Sequence, residues 1–426
     1  MNENHFLEEI ITNPADDEPR LIYADWLCEC GDPRGEFIQL QIRRESLEPG
    51  SLEAQASRRR ERQLVEENAE EWSNGVHAIT PSYEYRRGFI SKIGLDLNKF
   101  LEHADSLFSL APIDTLSTSE CNTSRITELS ECAHLSRIDS LKLSQCEANA
   151  SSLEQLFDAS GLDLSQFYLL SSRFDADISR AFANGSGVQN LRSLVIQGLR
   201  SVVEIDPLIA KLNQLKFLSF AHDHTDAVLA IADSNLPIET LQFGGGIGLT
   251  GCEAIANSTK LPRLKTLDLS RPFIPVGGRR LVEIGMPKLE RLSISGHDLN
   301  DDSVKELTKN FPALCYLDIR GNPQLTFRSF RHLADSPFLS QLRCLKLNHN
   351  SKGRKRDIMA ITRSPYFSGE AGMLQFPIQH MYPKVFESLE KQYGKDFFWD
   401  VYGHNDKMQI DVLGRCLLLP LPCELP

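Results

Sequence analysis

The stretch Leu314-Cys315-Tyr316-Leu317-Asp318-Ile319-Arg320-Gly321-Asn322 sets apolar residues at the spacing L-x-x-L-x-L, followed three positions on by asparagine. Working outward, the spacing returns in Ile138-Leu141-Leu143-Cys146, Leu264-Leu267-Leu269, Leu289-Leu292-Ile294 and Leu342-Leu345-Leu347-Asn350. Weaker copies start at Ile113, Leu164, Leu191, Leu215 and Ile238, so ten copies follow one another at intervals of 23–28 residues. A period of this length is the mark of stacked supersecondary units. The L-x-L portion alternates as a strand does, with its leucines on one face. The ninth position, held by Cys121, Cys146, Asn322 and Asn350, suits a bend, where a short side chain bonds the turning backbone. The second half of each unit has helical spacing, as in Ser152–Phe157, Cys252–Ala256 and Asp302–Leu307.

This pattern resembles leucine-rich repeats, and its strand-plus-helix length resembles the ribonuclease-inhibitor-like and cysteine-containing classes. The resemblance implies an α/β solenoid with parallel strands on the concave face and helices on the convex face. A single repeat cannot bury its apolar face, so neighbours must stack and the ends need caps. Arg87-Gly88-Phe89-Ile90-Ser91-Lys92-Ile93, with Phe100-Leu101 and Leu107-Phe108, reads as a capping strand and helix. Residues 351–426 lose the period, and their aromatics Phe386, Tyr393, Phe397, Phe398, Trp399 and Tyr402 read as a C-terminal cap.

Ahead of the repeats lies a segment of different chemistry. Residues 1–88 carry 19 acidic side chains against 10 arginines and no lysine. Phe6, Leu7, Ile10 and Ile11 share one helical face, which Pro14 ends. Leu21, Ile22, Tyr23, Trp26 and Leu27 read as the apolar stripe of a second helix, with Pro19 near its start. Asp32-Pro33-Arg34-Gly35 reads as a turn before a third helix opening at Glu36. The ordered string Asn13-Pro14-Ala15-Asp16-Asp17, Arg20-Leu21-Ile22-Tyr23-Ala24-Asp25-Trp26-Leu27 and Gly31-Asp32-Pro33-Arg34-Gly35-Glu36-Phe37-Ile38 resembles the bacterial repeat-companion domain. That small all-α module precedes leucine-rich repeats, and Arg87-Gly88-Phe89-Ile90 resembles the same family. Cys28 and Cys30 depart from it, where acidic or polar residues are commoner. The family carries no established activity, so the resemblance implies architecture. The expected division is a helical module at 1–47, a charged helical connector at 48–75, a cap at 76–110, repeats at 111–350 and a C-terminal cap or tail at 351–426.

Composition narrows the function classes. Of 426 residues, 41% are apolar and 24% charged, with net charge −12, as in ordinary globular chains. The acidic balance disfavours nucleic acid as a partner, because phosphates call for a basic surface. Cys416–Leu421 is too short to span a membrane and contains Pro420. The first residues have no basic n-region or apolar h-region. No export signal or membrane is therefore expected, and a cytoplasmic chain with reduced thiols is.

Several motifs suggest chemistry without assembling it. Gly246-Ile247-Gly248-Leu249-Thr250-Gly251 matches a dinucleotide fingerprint, but any strand-turn-helix repeat reproduces that layout, and a one-sided solenoid lacks the doubly wound crevice. His222-Asp223-His224 lacks a third ligand at metal-binding spacing. Cys28 and Cys30 diverge by roughly 200° on a helix. Lys352-Gly353-Arg354-Lys355-Arg356 reads as a solvated basic loop. No cofactor, metal or catalytic residue is assigned.

The positions beside the inward leucines face the concave surface. Early repeats place Thr115, Ser117, Ser140, Lys142, Ser193 and Gln197 there, whereas late repeats place Asp268, Arg291, Tyr316, Asp318, Arg320, Lys346 and Asn348. Tyrosine and arginine are enriched at interface hot spots, so this late cluster is the expected site for a protein partner. The reading is a non-catalytic interaction protein. An adaptor whose helical module docks a second component is the alternative, and an enzyme using Asp16, Asp17, Asp25 or Asp32 at the module–repeat junction is the third. Truncating Leu292 or Leu317 is expected to cost about 2–5 kcal/mol, and truncating Arg291 or Asp318 under about 1 kcal/mol.

Overall fold

The computed structural model describes residues 3–14, 16–47, 52–73, 75–198, 205–220, 225–270, 277–347 and 355–368, with 374–375, 384, 387 and 391. The chain divides into two compact units, Met1–Ser201 and Val202–Leu418. Each contains α/β repeats in which a parallel strand is followed by a helix.

The first unit opens with α1 (Glu3–Thr12), α2 (Glu18–Glu29), α3 (Pro33–Glu45), α4 (Leu52–Trp72) and the short α5 (Val76–Ile79). Strands β1 (Ser82–Arg86) and β2 (Phe89–Asp96) precede α6 (Leu97–Leu110), β3 (Thr115–Ser119), α7 (Thr123–Ser130) and β4 (Ser140–Ser144). Then come α8 (Ala150–Phe157), β5 (Gln166–Ser172), α9 (Ala176–Asn184) and β6 (Ser193–Gly198). From β2 onward the strands pair in parallel with apolar residues in register, Ile93–Leu116–Leu141–Phe167–Leu194. Each following helix is started by a side chain that accepts from its first turn: Asn122 for α7, Asn149 for α8 and Asp175 for α9.

The cap is a hairpin rather than the lone strand read from sequence, since β1 pairs antiparallel with β2. Arg87 (φ 51°) and Gly88 (φ 83°) form its two-residue loop. The helical module shares a core with this hairpin. Phe6, Ile10, Tyr23, Ala24, Leu27 and Ile38 pack with Phe89, and Phe37, Leu64 and Trp72 form a second cluster beside Tyr85. Polar bonds cross the same seam. The Gly88 amide donates to Gln41 Oε1 at 2.8 Å, and Arg86 and Arg87 both pair with Glu45. Arg137 donates to the carbonyls of Phe108 and Ile11, tying α1 to the first repeats.

Three local expectations change. Asp32 caps α3, which begins at Pro33, so the expected turn is the helix start. Helix α4 packs on α3, with Glu61 buried against Gln41 and Arg44. The apolar stripe of α2 also differs: Tyr23, Ala24 and Leu27 are buried, whereas Leu21 and Ile22 are 40% and 48% exposed. At 100° per residue, Leu21 and Ile22 fall on the side opposite Tyr23 and Leu27.

The second unit contains α10 (Asp206–Lys211), β7 (Phe217–Phe220), α11 (Thr225–Ala232), β8 (Thr240–Phe243), α12 (Gly248–Asn257), β9 (Thr266–Asp268) and α13 (Gly278–Ile284). It continues with β10 (Arg291–Ser293), α14 (Asp301–Asn310), β11 (Tyr316–Asp318), α15 (Phe327–Ala334), β12 (Cys344–Lys346), α16 (Lys355–Thr362) and β13 (Leu374–Gln375). Its strands pair in parallel along Leu218–Leu241–Leu267–Leu292–Leu317–Leu345–Leu374. The ladder thus runs past residue 350, where the sequence period fades. Leu267, Leu292, Leu317 and Leu345 are fully buried. Asn322 fills its ninth position as expected: its amide donates to the carbonyls of Ile319, Arg320 and Ile294, and its oxygen accepts from Leu299 N. Asn350 lies outside the described residues.

Candidate functional site

The expected partner residues sit on the sheet face of the second unit that the helices leave uncovered. Strand alternation turns Leu292, Leu317 and Leu345 inward, so the residues flanking them point the other way. Register then decides who meets whom. Arg291 of β10 stands beside Tyr316 of β11, and Asp318 stands beside Lys346 of β12. The Arg291 guanidinium lies 4.4 Å from the Tyr316 ring centroid, and Lys346 Nζ lies 5.1 Å from it. One aromatic ring therefore carries two cations, an arrangement its negative π-face favours. Burial pushes the Tyr316 phenol well above the usual range, reinforced by Cys344 and Asp318.

The acidic members are bonded within the protein itself. Asp318 is 1% exposed. Its Oδ1 accepts from the Arg320 amide at 3.1 Å and from Arg320 Nε at 2.9 Å, while Oδ2 lies 2.6 Å from Nη2. The expected cost of under about 1 kcal/mol for its truncation is therefore corrected, because the carboxylate anchors the turn after β11. Arg320 in turn is held more firmly charged by that carboxylate. Asp268, half-buried, caps its own strand end by accepting from the Ser270 amide at 2.8 Å. Burial raises its pKa and the nearby Asp318 adds to the rise, against the lowering effect of the Ser270 hydrogen bonds. Ser293, in register between Asp268 and Asp318, hydrogen-bonds the Ser270 hydroxyl. Asn348 lies outside the described residues.

The structure thus gathers Arg291, Tyr316 and Lys346 into one ledge and ties Asp318 and Arg320 to each other beside it. Sequence reading missed Ser270, Ser293 and His297. His297 is buried, and its Nε2 donates to the Leu269 carbonyl at 2.7 Å. Lying in the turn after β10, outside the strand pattern, it carries no periodic signal.

The remaining motifs find structural places. Gly248, at φ 63°, begins α12, and Gly251 packs close to Val228 of α11. Asp16 accepts from Glu18 N, Asp25 from Gln39, and Asp32 from Arg34 N, while Asp17 approaches Arg87 at 3.5 Å. Cys28 and Cys30 are exposed. His222, Asp223 and His224, the run Lys352–Arg354 and the aromatics named in the tail lie outside the described residues. Among the described residues no cluster of three or more His, Cys, Asp or Glu side chains has metal-holding geometry. No described helix is long and apolar enough to cross a membrane.

No family model matches the chain. Among curated proteins, 129 residues, or 30% of the chain, are 27% identical to acidic leucine-rich nuclear phosphoprotein 32 family member A of Drosophila pseudoobscura pseudoobscura. The same protein of Drosophila melanogaster matches to the same extent. The alignments cover 47% of those proteins, so the chain spans about half the length of the curated relatives it matches. Among solved structures, the yeast Rad7 and Elc1 complex matches 86% of this chain and 92% of its own with a TM-score of 0.48 and 14% identity. Repeat spacing and leucine register give the chain an α/β leucine-rich-repeat fold, and 129 of its residues are similar to leucine-rich proteins.

Proposed function

We propose that the protein is a non-catalytic interaction module that binds a protein partner on the uncovered sheet face of its second unit. The observation that carries this reading is the Arg291–Tyr316–Lys346 ledge, in which rigid strands hold an aromatic ring between two cations. Strand-borne side chains lose little freedom on binding, so such a surface binds at low ordering cost. Arg291, Tyr316 and Lys346 supply the contact, while Asp268, Asp318 and Arg320 shape the ledge. The leucine-rich relatives and the repeat architecture support an interaction role. Similarity of the N-terminal motifs to the bacterial repeat-companion domain supports a bacterial chain, and the net charge of −12 supports a protein rather than a nucleic-acid partner.

The test is affinity capture from native lysate with the full chain and with an Arg291→Glu/Lys346→Glu variant of unchanged melting temperature. Arg320 is left intact because its loss would strand Asp318. A protein recovered by the unaltered chain and lost by the variant is the expected result. Equal recovery by both would remove the ledge from the reading.

The second reading is an adaptor in which the helical module docks another component. The exposure of Leu21 and Ile22 on α2 favours it.

A further inference from the structure

The outward side of α2 combines exposed apolar side chains with carboxylates. Positions 18, 21, 22, 25 and 29 fall within a stripe about 100° wide on a helical wheel, and they are Glu18, Leu21, Ile22, Asp25 and Glu29, all exposed. Around the helix Leu21 and Ile22 mark the two edges of the stripe, and Glu18, Asp25 and Glu29 fall between them. Exposed large apolar residues are scarce among the described residues: only Leu21, Ile22, Leu229 and Leu249 are so exposed, and of these only Leu21 and Ile22 are sequence neighbours.

The charge around the pair has one sign. Between Glu3 and Glu29 the chain carries eight carboxylates and a single cation, Arg20. That cation is turned inward, 3% exposed, with Nη1 on the Asp16 carbonyl at 2.6 Å. No cationic side chain of α1 or α2 therefore reaches solvent beside the stripe. Like charges crowded on one surface repel and gain from an oppositely charged partner. A strip of carboxylates edged by two exposed apolar side chains therefore offers a basic amphipathic partner both charge and apolar contact.

We infer that the outward face of α2 docks a basic amphipathic segment of a partner protein, its apolar side chains covering Leu21 and Ile22 and its lysines or arginines facing Glu18, Asp25 and Glu29. This deepens the adaptor reading, on which it rests, by naming the chemistry of the second component. It is separate from the ledge on the second unit, which presents cations rather than carboxylates.

The test uses the full chain and three synthetic peptides: an amphipathic leucine/lysine helix, an all-lysine peptide of the same charge, and a leucine/glutamate helix. The leucine/lysine helix is expected to bind, with affinity falling as salt rises from about 50 to about 300 mM. Leu21→Ser/Ile22→Ser is expected to weaken it about tenfold or more, as loss of the apolar contact would. Glu18→Gln/Asp25→Asn/Glu29→Gln should weaken it and flatten the salt dependence, and Arg291→Glu/Lys346→Glu should leave it unchanged. All substituted α2 side chains are exposed, and circular dichroism and the melting temperature verify each fold. The inference is overturned if the leucine/lysine helix fails to bind, binds the α2 variants as tightly as the unaltered chain, or binds no better than either control peptide. The adaptor reading is scored separately. A native protein whose capture depends on Ile22, combined with no peptide binding, would keep the adaptor and discard the basic segment.

Discussion

Arg320 reaches back two residues to grip Asp318, its Nη2 2.6 Å from the carboxylate Oδ2 and its Nε within hydrogen-bond distance of both oxygens. The acid is 1% exposed, whereas the Arg320 side chain keeps about a third of its surface in water. The two halves of the pair are therefore unequal. Removing the arginine strands a buried charge, while removing the acid leaves a cation that water can reach.

Arg320→Ala is accordingly expected to cost about 3 kcal/mol, near the lower end for breaking a buried ion pair. Asp318→Ala should cost less, about 1–3 kcal/mol, through the unsatisfied Arg320 amide and the lost turn. Arg291→Ala, on the solvent side of the same sheet, should cost under about 1 kcal/mol. Denaturant unfolding of the three variants gives the order, and equal costs for Arg320 and Arg291 would refute the account.

Leu292→Ala and Leu317→Ala should each cost about 2–5 kcal/mol, because both side chains are fully buried in the leucine ladder. Asn322→Ala should fall in the same range. It orphans the Leu299 amide and removes the donor shared by three carbonyls, at about 1–3 kcal/mol for each buried group left unsatisfied. Unfolding midpoints that match the parent protein would contradict the buried ladder.

His297 supplies a pH prediction. A carbonyl only accepts, so Nε2 carries the proton it donates to Leu269; that bond favours the charged ring, and the larger effect of burial favours the neutral one. Burial lowers its pKa below the ordinary 6.5. As pH falls, the unfolded chain takes up this proton first. The contribution is therefore complete above the unfolded pKa and is lost as pH drops below it, by up to about 1.4 kcal/mol per pH unit, until the folded ring titrates. Between pH 7.5 and 5.5, conditions chosen about one unit either side of that pKa, the parent should lose more stability than His297→Gln. Parallel losses in both proteins would show that the ring does not titrate differently on folding.

Gly88 and Gly31 separate backbone strain from packing. Both have positive φ, 83° and 76°. A Cβ on Gly31 would meet nothing within 4 Å, but one on Gly88 would lie 2.1 Å from Ile38 Cγ1. Gly31→Ala should therefore cost about 1–2 kcal/mol, the left-handed penalty alone. Gly88→Ala should cost clearly more and should loosen the contact between α3 and the hairpin, visible as faster amide exchange in both. A Gly88 variant no worse than Gly31→Ala would mean that α3 does not press on the hairpin loop.

Much of this architecture is legible in the sequence because core positions repeat. Leu292 and Leu317 announce themselves by period two within a strand and by a period near 25 along the chain. Asn322 is legible for the same reason, since its place in the turn recurs. Strand β1 was not legible. Ser82–Arg86 alternates exposed and half-buried residues without a strong apolar signal, and its pairing depends on the hairpin loop and on Tyr85 meeting Phe37. The reach of the ladder to β13 was also hidden, because Leu374–Gln375 contributes a single leucine to it.

The sequence by itself determined the repeat, the inward leucines and the rows of residues left facing out, because burying one apolar stripe per repeat leaves a single strand phase. Only the tertiary structure decided what the outward residues do. Arg291, Tyr316 and Lys346 occupy three different repeats, and parallel pairing alone brings them within reach of one ring. Asp318 and Arg291 look alike as polar strand residues, yet one is buried in an ion pair and the other lies along an aromatic face. Helix α2 had apolar residues on two sides. Its packing against α1, α3 and Phe89 turned Tyr23 and Leu27 inward, and so turned Leu21 and Ile22 out to solvent.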